Sequence, residues 1–333
     1  MSNPLISVII PVYNAEEFLE SSLRSVMDQT YKKLEIICIN DGSTDNSLSI
    51  LQRMKDEDKR IRVISDVNHG AGAARNTGMD HATGDFIFFF DSDDLLKKKM
   101  MEILVKTALK NDTDIVLFGY QKFSGSKKVH TDFSAKVLKV PMNRVISPDQ
   151  VSDRLFQADH GMPWNKFYNT RFLKDTGVRF QELKNTEDEY FSRITTVLAK
   201  RILFLDKVLI GYRVGNKKSL QGDHGKNILD STYALRTIHD ELKKRGLFDT
   251  YLKTYKKLAG YIVMLKLAAT EDPETFSVLA CEVSDNIIDS CEVDDEYLEE
   301  QYKSAYRALR AHDILQAKTE FDLLKKRRHF FKT

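Results

Sequence analysis

The segment FFFDSDD, residues 88–94, places three aromatic side chains directly before three carboxylates in four positions. The apolar half is typical of the buried end of a β-strand, whereas neighbouring carboxylates repel one another unless a positive charge lies close by. Successive side chains of an extended segment point to opposite faces, so Asp91 and Asp93 are expected to point the same way. The segment therefore predicts a strand that ends at a pair of carboxylates.

Short apolar runs alternate with amphipathic segments on both sides of this strand. The runs are continuous rather than alternating with polar residues, which indicates strands that are buried on both faces. Helical segments separate them, and this order predicts an α/β fold with a mainly parallel sheet and helices on both faces. The predicted strands are Ile6–Val12, Leu34–Asn40, Ile61–Ser65, Phe86–Phe90, Ile115–Tyr120 and Ile202–Ile210.

The pattern changes to helical spacing from Asn227 onward. Apolar residues recur at intervals of four and three between Tyr251 and Leu265, which is typical of an amphipathic helix. Asp272 followed by Pro273 is typical of a helix start. We therefore predict an α/β domain over residues 1–222 and a small all-helical C-terminal domain over residues 223–333.

Composition narrows the class of protein. The chain has 333 residues, enough for one large and one small domain, and its net charge of +2 argues against a nucleic-acid partner. Its three cysteines lack the spacing of a metal site and suggest reduced thiols. No basic region precedes the first apolar run, and no stretch approaches the ~20 apolar residues of a membrane span. A cytoplasmic location is predicted.

Polar residues follow three of the predicted strands, in PVYN (11–14), NDGS (40–43) and DSDD (91–94). Ligands of an open parallel sheet bind beyond the carboxyl ends of its strands, so we expect these clusters to converge on one edge. Taken alone, Asp41 also fits a turn or a helix cap. Asp94 is predicted to cap the helix that starts near Lys97.

Asp91 and Asp93 predict a bound Mn²⁺ or Mg²⁺ ion, because hard divalent cations prefer oxygen ligands and leave positions open for phosphate. The segment GAGAAR (70–75) does not match a dinucleotide-binding fingerprint, because Arg75 stands at the third glycine position and the segment follows the third strand. A turn that projects Arg75 toward a negative group fits better. That group is either a ligand or a nearby carboxylate.

Four segments resemble, in order, the motifs of family 2 glycosyltransferases of the type that builds bacterial surface polysaccharides. They are SVIIPVYNAEEFLESSLRSVMDQTY (7–31), EIICINDGSTDNS (35–47), NHGAGAARNTGMDHATGDFIFFFDSDD (68–94) and NTEDEYF (185–191). The resemblance is close over residues 5–120, looser to about 220, and absent from the helical tail. It implies a GT-A fold and inverting transfer of a hexosyl or N-acetylhexosaminyl group from a UDP-sugar to an acceptor hydroxyl.

The resemblance also implies roles for residues of the donor site. Pro11 and Tyr13 would border the nucleobase, with the Tyr13 ring offering a stacking face. Asp41 would accept a hydrogen bond from the uracil or the ribose. Arg75 would contact the base or the diphosphate, and Asp91 would contact the ribose or the sugar.

The same resemblance implies that Asp93, together with Asp91, binds the metal ion. Asp188 matches the catalytic base that takes the proton of the acceptor hydroxyl. On the residues alone, TEDEYF also fits an ordinary helix start, because Thr186 and Glu189 have the spacing of a capping box.

Two further segments resemble family members less closely. PWNKFYN (163–169) would place Trp164 and Lys166 on the acceptor side with Glu187, although Trp164 fits the protein core equally well. GYRVGNKKSLQGDHG (211–225) resembles the loop that closes over the donor. There Arg213 would contact the diphosphate, and His224 would either complete the metal shell or be solvated.

The tail LLKKRRHFFKT (323–333) mixes basic and aromatic residues. This composition suits an anionic membrane surface or a solvated helix end, and the resemblance favours peripheral contact with the inner face of the cell membrane. Oligosaccharide, lipid-linked and glycoprotein acceptors all fit. The rival predictions are a nucleotidyltransferase, which requires a glycine-rich basic loop after the first strand, and an inactive sugar-nucleotide-binding protein.

Overall fold

The computed structural model describes residues 3–125, 127–132, 134–215 and 229–330. These residues form one compact unit of Met1–Val151 and Gln157–Asn216, and a second of Ser152–Phe156 and Lys217–Thr333. The predicted domains, residues 1–222 and 223–333, stay a prediction. In the described part of the chain, no helix is both long and apolar enough to cross a membrane.

The first unit contains the sheet, which has ten strands in the described residues. They are β1 (Ile6–Val12), β2 (Leu34–Asp41), β3 (Ile61–Asp66), β4 (Phe86–Phe89), β5 (Leu95–Leu96), β6 (Ile115–Ser124), β7 (Lys127–Asp132), β8 (Val145–Ile146), β9 (Lys166–Asn169) and β10 (Ile202–Arg213). The order is β3-β2-β1-β4-β9-β6-β10-β5, with β7 paired to β6 and β8 paired to β10. The long pairings, β1 with β2, β2 with β3 and β6 with β10, are parallel.

Helices cover this sheet and form most of the second unit. They are α1 (Leu19–Met27), α2 (Ser47–Glu57), α3 (Ala71–His81), α4 (Met100–Asn111), α5 (Ser134–Val137), α6 (Leu155–Asp159), α7 (Thr170–Thr176), α8 (Glu187–Leu198), α9 (Asp230–Lys244), α10 (Phe248–Ala269), α11 (Pro273–Glu282), α12 (Ile288–Ser290), α13 (Lys303–Arg310) and α14 (Ile314–Phe330). The mainly parallel α/β sheet and the helical C-terminal region are therefore confirmed.

The three aromatic residues before DSDD (residues 91–94, the acidic segment) pack on both faces of the sheet. Phe88 and Phe90 lie on one face, with ring centroids 6.1 Å apart. Phe89 points to the other face and meets the edges of Phe180 and Phe191 at 5.0 and 5.4 Å. All three are buried. This alternation anchors the strand end from which the carboxylates extend.

Strand β9 contains the last four residues of PWNKFYN, the segment that is expected on the acceptor side. The segment turns at Pro163–Asn165 and then enters the sheet as β9, antiparallel to both β4 and β6. Trp164 lies in the core, where it stacks on Tyr212 at 4.8 Å and meets the edge of Tyr120. Of the two alternatives for Trp164, the core is therefore the one observed.

Helix α3 packs against β1 through Gly78, and this contact generates a stability prediction. A Cβ atom built on Gly78 would lie 2.3 Å from Cγ2 of the branched side chain of Ile9. We expect Gly78→Ala to destabilise the protein by about 1–3 kcal/mol in urea unfolding, because the overpacking cost exceeds the gain in helix propensity.

Ile9→Ala tests whether this clash is the cause. The Gly78→Ala/Ile9→Ala double variant should lose less stability than the sum of the two single variants, because the clashing methyl group is gone. Additive losses, or a stabilising Gly78→Ala, would contradict the packing argument.

Candidate functional site

The carboxyl ends of β1, β2 and β4 lie at one edge of the sheet, because these strands are parallel neighbours. The loops after β1 and β2 are tied together there: Asn14 Oδ1 accepts a hydrogen bond from the Thr44 amide at 2.8 Å. Tyr13 is 51% exposed, so its ring face is open to solvent. Pro11 beside it is partly exposed. Both positions are compatible with the predicted nucleobase contact.

Asp41 ends β2 and organises the loop that follows β3. Its carboxylate oxygens accept from the backbone amides of His69 and Gly70, at 2.8 and 2.9 Å. Gly70 precedes α3 with a φ of +93°, a conformation that glycine adopts without strain. The turn-forming alternative for Asp41 is therefore observed, and its predicted contact with uracil or ribose stays a prediction.

Arg75, on α3, joins the acidic segment to the segment that carries the predicted base. Its Nη2 atom donates to Asp91 Oδ1 at 2.9 Å, and its Nη1 atom donates to Glu187 Oε1 at 2.8 Å. The side chain is 6% exposed, and its guanidinium group lies 5.4 Å from the ring centroid of Phe180. Of the two alternatives for the group that Arg75 faces, a ligand or a nearby carboxylate, the carboxylate is observed. Glu187 is one of the two carboxylates that pair with Arg75.

Asp188 follows Glu187 in the first turn of α8 and is partly buried. Burial raises its pKa well above the usual aspartate range, the neighbouring carboxylates of Glu187, Glu189 and Asp91 raise it further, and Arg75 opposes them. A carboxylate with a raised pKa is a stronger proton acceptor, which suits a general base.

The capping-box alternative for TEDEYF is not found. The Thr186 hydroxyl donates instead to the Asn185 carbonyl at 2.6 Å. Glu189 Oε2 accepts from Arg193 Nε at 2.9 Å. Thr186 also has a φ of +58°, which is unusual for a β-branched residue and is typical of positions held by their surroundings. The polar groups of this turn therefore serve contacts other than a cap.

Asp94 does not cap the next helix, so that prediction was wrong. Helix α4 begins after Lys99 without any side-chain cap. Asp94 is fully buried, and its Oδ1 atom accepts from the Arg213 amide at 2.8 Å. Burial raises its pKa well above the usual range, and the charges of Asp91 and Asp93 add to the effect. Asp94 therefore belongs to the acidic cluster.

Arg213 belongs to β10 rather than to a loop, because that strand continues to this residue. Its Nε atom donates to the Asp93 carbonyl at 2.7 Å, and its guanidinium group lies over the rings of Phe18 and Phe123. Arg213 thus holds the backbone of the acidic segment. Its predicted contact with a diphosphate stays a prediction.

Tyr212 is a site residue that sequence reasoning missed. It stacks on Trp164, and burial raises the pKa of its phenol well above the usual range, with a further contribution from Asp91, Asp94 and Asp93. Its position in GYRVG, which was interpreted as a loop, concealed it. No local signal identifies it, because the burial along β10 does not alternate and its pairing with β6 has register shifts.

Lys166 was predicted to face an acceptor, and the structure contradicts this. Its side chain is fully buried and forms an ion pair with the equally buried Asp159. A side chain without exposed surface cannot contact a molecule that arrives from solvent. Lys166 therefore lies inside the α/β unit and does not reach an acceptor.

The donor set is compatible with a divalent cation. Asp91 and Asp93 offer carboxylate oxygens, and both act electrostatically on Asp94 and Tyr212, which places the charges together. Among the described residues, no three His, Cys, Asp or Glu side chains group as a metal site, so phosphate oxygens or water would supply further ligands. His224 lies outside the described residues.

In an open α/β sheet, the carboxyl ends of the parallel strands are where ligands bind, and the acidic residues of this chain lie there. The profile of Glycosyl transferase family 2 matches residues 7–176, which is more than half of the chain. The chain therefore belongs to glycosyl transferase family 2, as its motifs predicted.

Individual relatives of this chain are glycosyltransferases as well. The putative glycosyltransferase EpsH of Bacillus subtilis is 32% identical over 80% of this chain and 78% of its own length. Glycosyltransferase GlyA of Streptococcus pneumoniae is 34% identical over 63% of this chain, which spans only 30% of GlyA. Among solved structures, S. aureus TarS (1–349) in complex with UDP has a TM-score of 0.73 at 22% identity, covering 97% of this chain and 91% of that chain. This likeness confirms the GT-A fold.

The raised pKa of Asp188 generates a stability prediction. An aspartate whose pKa is higher in the folded state than in the unfolded state destabilises the fold when it is ionised, so the cost is absent below the unfolded pKa of about 3.9 and present at neutral pH. We expect Asp188→Asn to raise the urea midpoint at pH 8, and this gain to vanish near pH 4. An equal difference at both pH values would contradict the assignment.

Proposed function

We propose that this protein is an inverting glycosyltransferase that moves a hexosyl or N-acetylhexosaminyl group from a UDP-sugar to an acceptor hydroxyl. The observation that carries the proposal is the Arg75 bridge. It connects Asp91, in the acidic segment, to Glu187, the neighbour of the proposed base Asp188, and Glu187 lies 112 residues beyond Arg75 in the sequence. The proximity of the proposed donor-binding carboxylates to the proposed base supports the proposal.

Chemistry explains this arrangement. In an inverting transfer the acceptor hydroxyl attacks the anomeric carbon while the bond from that carbon to the diphosphate breaks on the opposite side. Asp188 would accept the hydroxyl proton, a role worth typically 10²–10⁴ in rate. Both electrons of the broken bond leave with UDP. Because the displacement is direct and forms no covalent intermediate, it requires no Ser or Cys nucleophile.

The donor side would use the residues at the ends of β1, β2 and β4. Tyr13 and Pro11 would border the base, and Asp41 would accept a hydrogen bond from it while keeping the loop after β3 in place. Asp93, with Asp91, would hold Mn²⁺ or Mg²⁺ near the diphosphate. When bound, such an ion supplies positive charge that offsets the charge on the leaving group.

Proteins of similar fold bind nucleotide sugars, which supports this class of donor. TarS has been solved in complex with UDP and with UDP-GlcNAc, and a mannosyltransferase from Pyrobaculum calidifontis with GDP-Man and Mn²⁺. We propose UDP-linked donors because the Asp41 position in NDGS suits a uracil contact. The acceptor would be an oligosaccharide, a lipid-linked saccharide or a glycoprotein, and the catalytic domain would comprise residues 1–222.

A donor screen tests the proposal. Purified protein is incubated with a panel of UDP-sugars and Mn²⁺ or Mg²⁺, and UDP release and UDP binding are measured. We expect metal-dependent UDP binding and release with one or two donors, and weakened binding in Asp93→Asn. Failure to bind UDP would overturn the donor assignment. UDP binding without turnover for any donor and acceptor would favour the inactive binding protein.

Asp188→Asn separates chemistry from binding. We expect transfer to fall by about 10²–10⁴ because no group accepts the acceptor proton, while UDP affinity stays within about two-fold of the unmodified protein. Asp175→Asn, at an exposed position on α7, is the matched control and should leave both quantities unchanged. Loss of UDP binding in Asp188→Asn would contradict the base assignment.

A further inference from the structure

Lys166 and Asp159 form an ion pair inside the α/β unit, and neither side chain has exposed surface. The Lys166 ammonium also donates to the Met162 carbonyl at 2.5 Å and to Asn165 Oδ1 at 3.1 Å. It therefore fastens the segment from Asp159 to Asn165 around itself. Burying two charges costs several kcal/mol of desolvation per ion, and an apolar pair of similar volume is often at least as stable. Stability alone does not account for the pair.

The ion pair extends to the helix that carries the proposed base. Arg193 Nη1 lies 4.0 Å from Asp159 Oδ2, and Arg193 Nε donates to Glu189 Oε2 at 2.9 Å. The Arg193 side chain is itself buried, at 3% exposure. Charges of alternating sign thus run from the start of β9 to the first turn of α8, one residue from Asp188.

The backbone near Asp159 also contacts this turn closely. Gly161 has a φ of +72°, and a Cβ atom at this position would lie 2.4 Å from Glu189 Oε2. Glycine suits this position because the backbone has a positive φ, and a Cβ atom would displace the Glu189 carboxylate. On the other side of Asp188, Glu187 is held by Arg75. The first turn of α8 is therefore fixed by an arginine on each side, with Thr186 in its unusual conformation immediately before it.

We propose that Lys166 is a positioning residue for glycosyl transfer, and that the buried network Lys166–Asp159–Arg193–Glu189 sets the position of Asp188 relative to the acidic segment. The inference rests on the proposed function. Its geometric basis is that β9 starts at Lys166 and pairs with β4, with Phe167 opposite Phe88. The network thus connects the base to the strand that leads into Asp91.

Several charged or titratable groups surround Asp188. Helix α8 contributes two carboxylates, α3 contributes an arginine, the end of β4 contributes a carboxylate, and β9 contributes a lysine and a tyrosine; these are Glu187, Glu189, Arg75, Asp91, Lys166 and Tyr168. The cations favour ionised Asp188 and the carboxylates disfavour it. Removing Lys166 and removing Glu189 should therefore move the acid limb of the pH–rate profile in opposite directions.

The first test is the double variant Lys166→Met/Asp159→Asn, which removes both buried charges and keeps their volume. We expect UDP affinity within about two-fold of the unmodified protein and a fall in kcat of about 10–100-fold, because small displacements of a catalytic group are costly. Because one cation and one anion are removed together, their direct effects on the pKa of Asp188 oppose each other, and the shift of the acid limb of kcat/KM that we expect would report displacement of Asp188.

The second test is Glu189→Gln, at the partly exposed end of the network, which tests the proposal even where the double variant does not fold. It should also lower kcat, with the acid limb shifted to lower pH because a like charge is lost. Lys174→Met, at an exposed position on α7, is the control and should match the unmodified protein.

The outcomes separate the inference from the proposed function. No transfer by the unmodified protein with any donor would overturn the proposed function and this inference with it. Transfer by the unmodified protein, together with unchanged kcat and pH profiles in the folded variants, would overturn the inference alone. Lower thermal stability with an unmoved acid limb would show a purely structural role and would likewise overturn it.

Discussion

The site depends on the buried guanidinium group of Arg75. It pairs with Asp91 on one side and with Glu187 on the other, so α3, the end of β4 and the start of α8 are fixed to a single group. Burial lowers the pKa of an arginine, yet the carboxylates around Arg75 raise its pKa above the ordinary value, so the charge persists. Removing one partner of such a pair typically costs 3–5 kcal/mol, because it leaves an uncompensated buried charge.

The acidic segment reduces the stability of the fold. Asp94 is fully buried with a raised pKa, and one of its carboxylate oxygens, Oδ2, has no hydrogen-bond partner among the described residues. Hydrogen bonds from the Arg213 amide to Asp94 Oδ1 and from Arg213 Nε to the Asp93 carbonyl hold the segment in place despite this repulsion. Proteins commonly sacrifice stability in this way where a site requires a particular charge arrangement. The predicted cation would relieve the repulsion, which explains why sequence reasoning about self-repelling carboxylates led to a metal ion.

The α/β fold could be predicted because its strands are buried on both faces, and such strands appear as continuous apolar runs of the kind seen in Ile6–Val12. Strand β9 could not be predicted, because its four residues begin with a lysine and are too few to show a hydrophobic period. The sequence left Trp164 open between a sugar-binding face and the core for a related reason: an indole ring suits both equally well. Three adjacent carboxylates look alike in sequence, so only their backbone contacts distinguish Asp94 from its neighbours.

The partners of buried charged residues are the part of the structure that is hardest to predict from one sequence. Arg75 and Glu187 are 112 residues apart, and nothing in either segment identifies the other as its partner. Lys166 and Asp159 are only seven residues apart, and here physical reasoning goes further. A lysine followed by Phe167 and Tyr168 in a two-sided sheet has no route to solvent, so it must find an acid nearby. An apolar strand that begins with a lysine therefore predicts a buried acid nearby in the chain, and where that acid contacts an active-site helix, it also indicates a positioning role.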